Sequence, residues 1–121
     1  MISSLMLRVS TVLLLAGMVL GIVMGIRENF QLAPAHAHLN LIGFVLMFLV
    51  GLYYRTMPAA GKGPLAQIQA GLHITGALVL PFGIAMADLG HTPVFAIIGS
   101  LIVLAALTLF AFVVFRTEAA A

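Results

Sequence analysis

The chain has 121 residues, 64% of them hydrophobic and only 7% charged. That length fits one domain, and so little charge excludes a soluble surface, so lipid must be the solvent for most of the chain. There is no cysteine, which excludes disulfides, thiolate metal sites and cysteine nucleophiles. The net charge of +2 is too sparse to follow a phosphate backbone, so no nucleic-acid partner is expected.

Four apolar runs follow one another, spanning residues 5–26, 35–57, 65–87 and 93–115. Each has about the 20 residues that a helix needs to cross a bilayer. Helices are required, because a lone strand in lipid leaves its backbone unpaired. Pro34, Pro64 and Pro93 stand where a first helical turn tolerates proline. Met57-Pro58 ends the second run, since the residue before proline avoids the helical region. The links are short, so neighbouring helices run antiparallel. The expected fold is all-α: an integral membrane four-helix up-down bundle, one transmembrane domain over 1–121.

The first run begins like a signal peptide, and Ala33-Pro34-Ala35 imitates a cleavage site. Yet the run is too long for an h-region, and Arg27 to Gln31 separate it from that site, so it is read as a span. Gly17, Gly21 and Gly25 recur every fourth residue along it. Such a small-residue ridge permits close helix contact, within the subunit or between copies.

Arg8, Arg55, Lys62 and Arg116 fall at helix ends sharing one side, whereas only Arg27 falls on the other, with Glu28 and Asp88. The positive-inside rule then predicts both termini in the cytoplasm, in a bacterial-type inner membrane. His36, His38 and His91 lie toward the outer face in that topology.

The candidate chemistry starts at Pro34-Ala35-His36-Ala37-His38-Leu39-Asn40. Histidines two apart on a helix point about 200° apart with a rise of about 3 Å. They cannot chelate one ion as an i, i+4 pair would, but each can serve its own partner at one depth. Imidazole is a haem axial ligand, and polar groups at membrane depth are costly and tend to be functional. The bland alternative is a pair of interfacial histidines bonded near the headgroups. His91, in the outer loop, is either a further metal ligand or a solvated residue. His73, some 15 Å below the pair by helix rise, is either bonded structurally to Gln67, Gln69 or Thr75 or forms a second polar site. Hydrolytic chemistry has no support: Glu28, Asp88 and Glu118, the only acids, sit at helix ends.

The run from His36 to Phe44, continuing through Gly51-Leu52-Tyr53-Tyr54-Arg55-Thr56-Met57-Pro58 to Gly61-Lys62, resembles the tenth helix of the catalytic subunit of haem-copper oxidases. The next stretch, with Gln69, His73, Gly76 and Pro81-Phe82-Gly83, is similar to that subunit's eleventh helix. The cbb3-type and nitric-oxide-reductase branches come nearest. The resemblance covers Pro34 to Gly83. It implies that His36 ligates a high-spin haem and His38 a low-spin haem, and the haem expected here is of b type. The family's copper ligands, its active-site tyrosine and the opposite ligand of its low-spin haem come from parts with no counterpart here. Its core has twelve helices in three arcs of four, and this chain resembles the last arc. The resemblance therefore implies a homotrimer that mimics the whole core, with His36 of one copy and His38 of the next approaching a haem at each interface.

The expected function is electron transfer, or O2 or NO binding that would make the protein an oxidoreductase, with an electron-donor protein or a quinol as partner. Two alternatives stand beside it. One is a copper or other metal-ion binding or transport protein using His36, His38 and His91 from several subunits, with Met6, Met18, Met24, Met47 and Met86 as soft ligands. The other is a haem-free accessory subunit of a larger complex. Covalent c-type haem is excluded in its usual form, because no CxxCH motif occurs.

Overall fold

A computed structural model describes all 121 residues. It contains four helices long and apolar enough to cross a membrane. We label them α1 (Ile2–Arg27), α2 (Ala33–Thr56), α3 (Pro64–Asp88) and α4 (Val94–Ala120). They extend the expected spans by a few residues at most ends, as ordered caps replace abrupt stops. Glu28 closes α1 in the left-handed region at φ 51. Its N–H reaches the Gly25 carbonyl at 3.3 Å, and Asn29 N–H reaches Met24 at 3.1 Å. That reciprocal pair satisfies carbonyls that would otherwise end the helix unpaired in lipid. Gly63, at φ 97, turns the chain into Pro64 at the start of α3, a conformation that side chains disfavour. Val94 N–H donates to Thr92 Oγ1 at 3.2 Å as α4 begins.

The helix α2 is not uniform. Ala33–His38 and Met47–Thr56 are α-helical, but Leu39–Leu46 is wound as a π-helix. The sequence reading expected one regular helix over 35–57. The wider winding starts at the residue after His38, and such turns are rare and concentrate at functional sites.

The helices pack in chain order, α1 on α2, α2 on α3 and α3 on α4, while α1 and α4 barely meet. They form a row rather than a closed ring. Burial follows from this: 17% of the α1 span and 22% of the α4 span are buried, against 33% in α2 and 39% in α3. The outer helices therefore turn most of their apolar surface outward, as lipid permits.

Small residues set the tightest crossing. A Cβ at Gly99 of α4 would lie 2.6 Å from Leu80 Cα, and one at Gly76 of α3 would lie 2.6 Å from Val103 Cγ2. A Cβ at Gly83 would collide with the backbone of Phe95 and Ala96. Gly76 and Pro81-Phe82-Gly83, part of the oxidase resemblance, thus serve the α3–α4 contact in this fold. Buried polar bonds reinforce the packing. Tyr54 OH donates to Gln69 Oε1 at 3.1 Å, and Gln69 Nε2 donates to the Ala106 carbonyl at 3.3 Å, linking α2, α3 and α4. Phe110 of α4 stacks edge-on against both Tyr53 and Tyr54.

Candidate functional site

Two histidines near the start of α2 have different surroundings, although only two residues separate them. His38 Nδ1 donates to the Pro34 carbonyl at 2.8 Å. A proton sits on that nitrogen to make the bond, which in the neutral ring leaves the lone pair on Nε2. Nε2 makes no bond within the chain. The acceptor lies one turn earlier on the same helix, so the bond is local to this turn of α2. A backbone bond that fixes ring and tautomer while the other nitrogen stays open is the usual outer-shell arrangement of a metal-ligating histidine.

His36 turns instead toward α1. A Cβ added at Gly21 would lie 2.9 Å from His36 Cε1 and 3.3 Å from Nε2, so the glycine leaves the space that the ring fills. Asn40 fills the next notch, where a Cβ at Gly17 would collide with Asn40 Oδ1. Asn40 Nδ2 lies 3.4 Å from His36 Nε2. The glycine ridge of α1 is thus a seat for the polar face of α2 within the subunit. Gly25 has nothing within 4 Å and takes no part. The seat is incompletely satisfied, because His36 Nδ1 and Asn40 Oδ1 are buried without partners. Buried orphans of this kind are uncommon and mark a water, an ion or a group still to be accounted for.

His73 is fully buried in α3, and its Nε2 donates to the Ile42 carbonyl at 3.1 Å. Its partner is the π-helical backbone of α2, not Gln67, Gln69 or Thr75. Ile42 is six residues beyond His36 and four beyond His38, so the ring lies at a level about 6–9 Å below the pair by helix rise, nearer than the expected 15 Å. His73 Nδ1 is a further buried atom with no partner. His91 is exposed in the loop after α3. No three histidine or carboxylate side chains of the chain gather into a group that could hold a metal ion. A set made of His36, His38 and His91 therefore does not form within one subunit. Of the methionines, Met6 and Met47 are fully buried in the core, whereas Met18 faces outward.

At the same end, Gln31 Nε2 donates to the Asp88 carbonyl at 2.9 Å, tying the first loop to the end of α3. Reasoning from the sequence missed the π-helical stretch and the Pro34 carbonyl, and it expected close helix contact at Gly17 and Gly21 without naming Asn40 and His36 as what fills them. The four-residue glycine spacing was the one signal that could have pointed to the seat.

Compared with known proteins, the chain matches no family model, no curated protein and no solved structure.

Proposed function

We propose that this chain is a membrane-embedded b-type haem-binding protein related to the catalytic subunit of haem-copper oxidases. His38 is its principal ligand and His36 the second, at interfaces between copies in an oligomer, of which a trimer is favoured. The single observation that carries this reading is His38, with Nδ1–H held by Pro34 and Nε2 open. That donor set fits a haem iron directly. His36 fits conditionally. Its ring end is covered by Gly21, so the seat on α1 must open, or the ring must turn, before a haem can reach it. Its orphaned Nδ1 shows that the present position does not exhaust its bonding.

Haem held by an imidazole from each of two copies would supply one-electron transfer, and haem held by a single imidazole would supply O2 or NO binding. This chain's own residues do the rest. Pro34 orients His38, Asn40 bonds the second imidazole, and the apolar faces of α1 and α2 exclude water. The row of four helices supports the oligomer, since an unclosed arc leaves both edges free for a neighbouring copy. Arg8, Arg55, Lys62 and Arg116 make their end the cytoplasmic one under the positive-inside rule, in an inner membrane. The electron donor would be a protein or a quinol on the histidine side. No feature of the fold favours the copper or accessory-subunit readings over this one.

The test is a haem assay on purified wild type, His38→Ala and His36→Ala. His38→Ala loses most of the haem, and His36→Ala loses less. Full haem retention in both variants overturns the proposal. Adding carbon monoxide to the reduced protein then separates the two chemistries, because an unchanged spectrum means that no axial position is open.

A further inference from the structure

The end of the bundle opposite the histidines holds a cleft of about 540 Å³. It is built by Ser3 and Ser4 of α1, Arg55 in the last turn of α2, Lys62 and Gly63 of the link, and Gln67 in the first turn of α3. No carboxylate lines it. Arg55 Nε donates to Ser3 Oγ at 3.2 Å and Nη2 to Ser4 Oγ at 2.9 Å, both neutral acceptors. Lys62 is exposed and makes no bond within the chain. Glu28 and Asp88 lie at the far end, and Glu118, the one acid at this end, pairs with Tyr53 OH at 3.5 Å outside the cleft. Two cations therefore converge without a counter-charge. The start of α3 adds to them: Gly63 and Pro64 lead into a 25-residue helix whose first N–H groups have no acceptor earlier in the helix. That end carries partial positive charge.

We propose that this cleft binds a phosphate group, held between Arg55 and Lys62 at the start of α3, and that its source is the headgroup of an anionic lipid. The guanidinium and the ammonium supply charge-assisted donors to phosphate oxygens. The position favours the lipid source, because the cleft stands where the ends of three apolar helices, α1, α2 and α3, come together. There, unpaired basic side chains attract anionic lipid. The inference is independent of the haem reading, whose residues lie at the other end of the helices.

The experiment uses the full chain, purified in detergent and stripped of lipid. Phosphatidylglycerol, phosphatidylcholine or inorganic phosphate is then added, with retention read by native mass spectrometry and stability by thermal melting. Phosphatidylglycerol is retained and raises the melting temperature, and phosphatidylcholine does neither. Lys62→Gln lowers phosphatidylglycerol retention about fivefold, the usual effect of one basic residue at an anionic surface. Lys62 is exposed and makes no hydrogen bond within the chain, so this variant leaves the fold intact and decides the matter even if Arg55→Gln loosens the contact with α1. Arg116→Gln removes a cation at the same end but outside the cleft, and leaves retention unchanged. If inorganic phosphate alone gives the same stabilisation with the same sensitivity to Lys62→Gln, the site stands with free phosphate as its source. Equal retention of the two lipids, or equal loss in Lys62→Gln and Arg116→Gln, overturns the proposal.

Discussion

At the scale of single residues, the difference between His36 and His38 comes from what each ring meets. A backbone carbonyl four residues earlier fixes His38, and a glycine on another helix receives His36. The second relationship depends on two missing methyl groups. Gly17→Val drives a side chain into Asn40, and Gly21→Val drives one into His36. Each should destabilise the protein by about 1–3 kcal/mol, the usual cost of overpacking. Gly25→Ala, with open space around it, should stay within about 0.5 kcal/mol of wild type. Thermal melting in detergent measures all three, and equal melting temperatures would show that the seat contributes nothing. Under the proposed haem reading, a variant that unseats His36 without unfolding the chain should also alter the haem spectrum.

At the scale of elements, α2 carries the histidines, the π-helical winding and the Tyr54 end of the buried polar network. His73→Leu removes the bond to Ile42 but keeps an apolar volume in the core. Interhelical bonds in membranes contribute about 0.5–2 kcal/mol, so that loss of stability is expected, with haem content unchanged. A large loss of haem in this variant would mean that the π-helical stretch positions the ligands above it. Gln69→Leu should cost more, about 1–3 kcal/mol, because it leaves the buried Tyr54 hydroxyl without its acceptor. The α3–α4 contact is stricter still. Gly99→Leu places a side chain against the backbone of Leu80, so these two helices should separate. Proteolysis within the loop at residues 89–93 would report it.

At the scale of the whole molecule, the row of four helices determines which surfaces are free. Lipid can cover the apolar sides of α1 and α4, but it offers the open His38 Nε2 no hydrogen-bond donor. The haem reading therefore ties cofactor to assembly: haem-loaded protein should run as an oligomer, and mild crosslinking should yield a trimer. A species of single-subunit mass that retains a full haem complement would separate the two and remove the need for a second copy. The cleft at the other end is expected to respond to lipid charge whether or not haem is bound.

The sequence alone determined the number of helices, their approximate ends and the class of the fold. Hydrocarbon runs of bilayer length and prolines at their starts leave no other solution once lipid is the solvent. It also singled out His36 and His38, since a two-residue spacing on a helix is a local property. The tertiary structure decided which way those rings face. Gly21 belongs to a different helix from His36, and no local rule states that the two will meet. The same holds for His73, whose partner is a carbonyl on α2 rather than any nearby glutamine. It holds also for the cleft of Arg55 and Lys62, where residues distant in the chain come together around a space. Backbone winding was equally hidden, because Leu39–Leu46 has the composition of an ordinary apolar helix, and its π-helical form is defined by backbone bonding that composition does not encode.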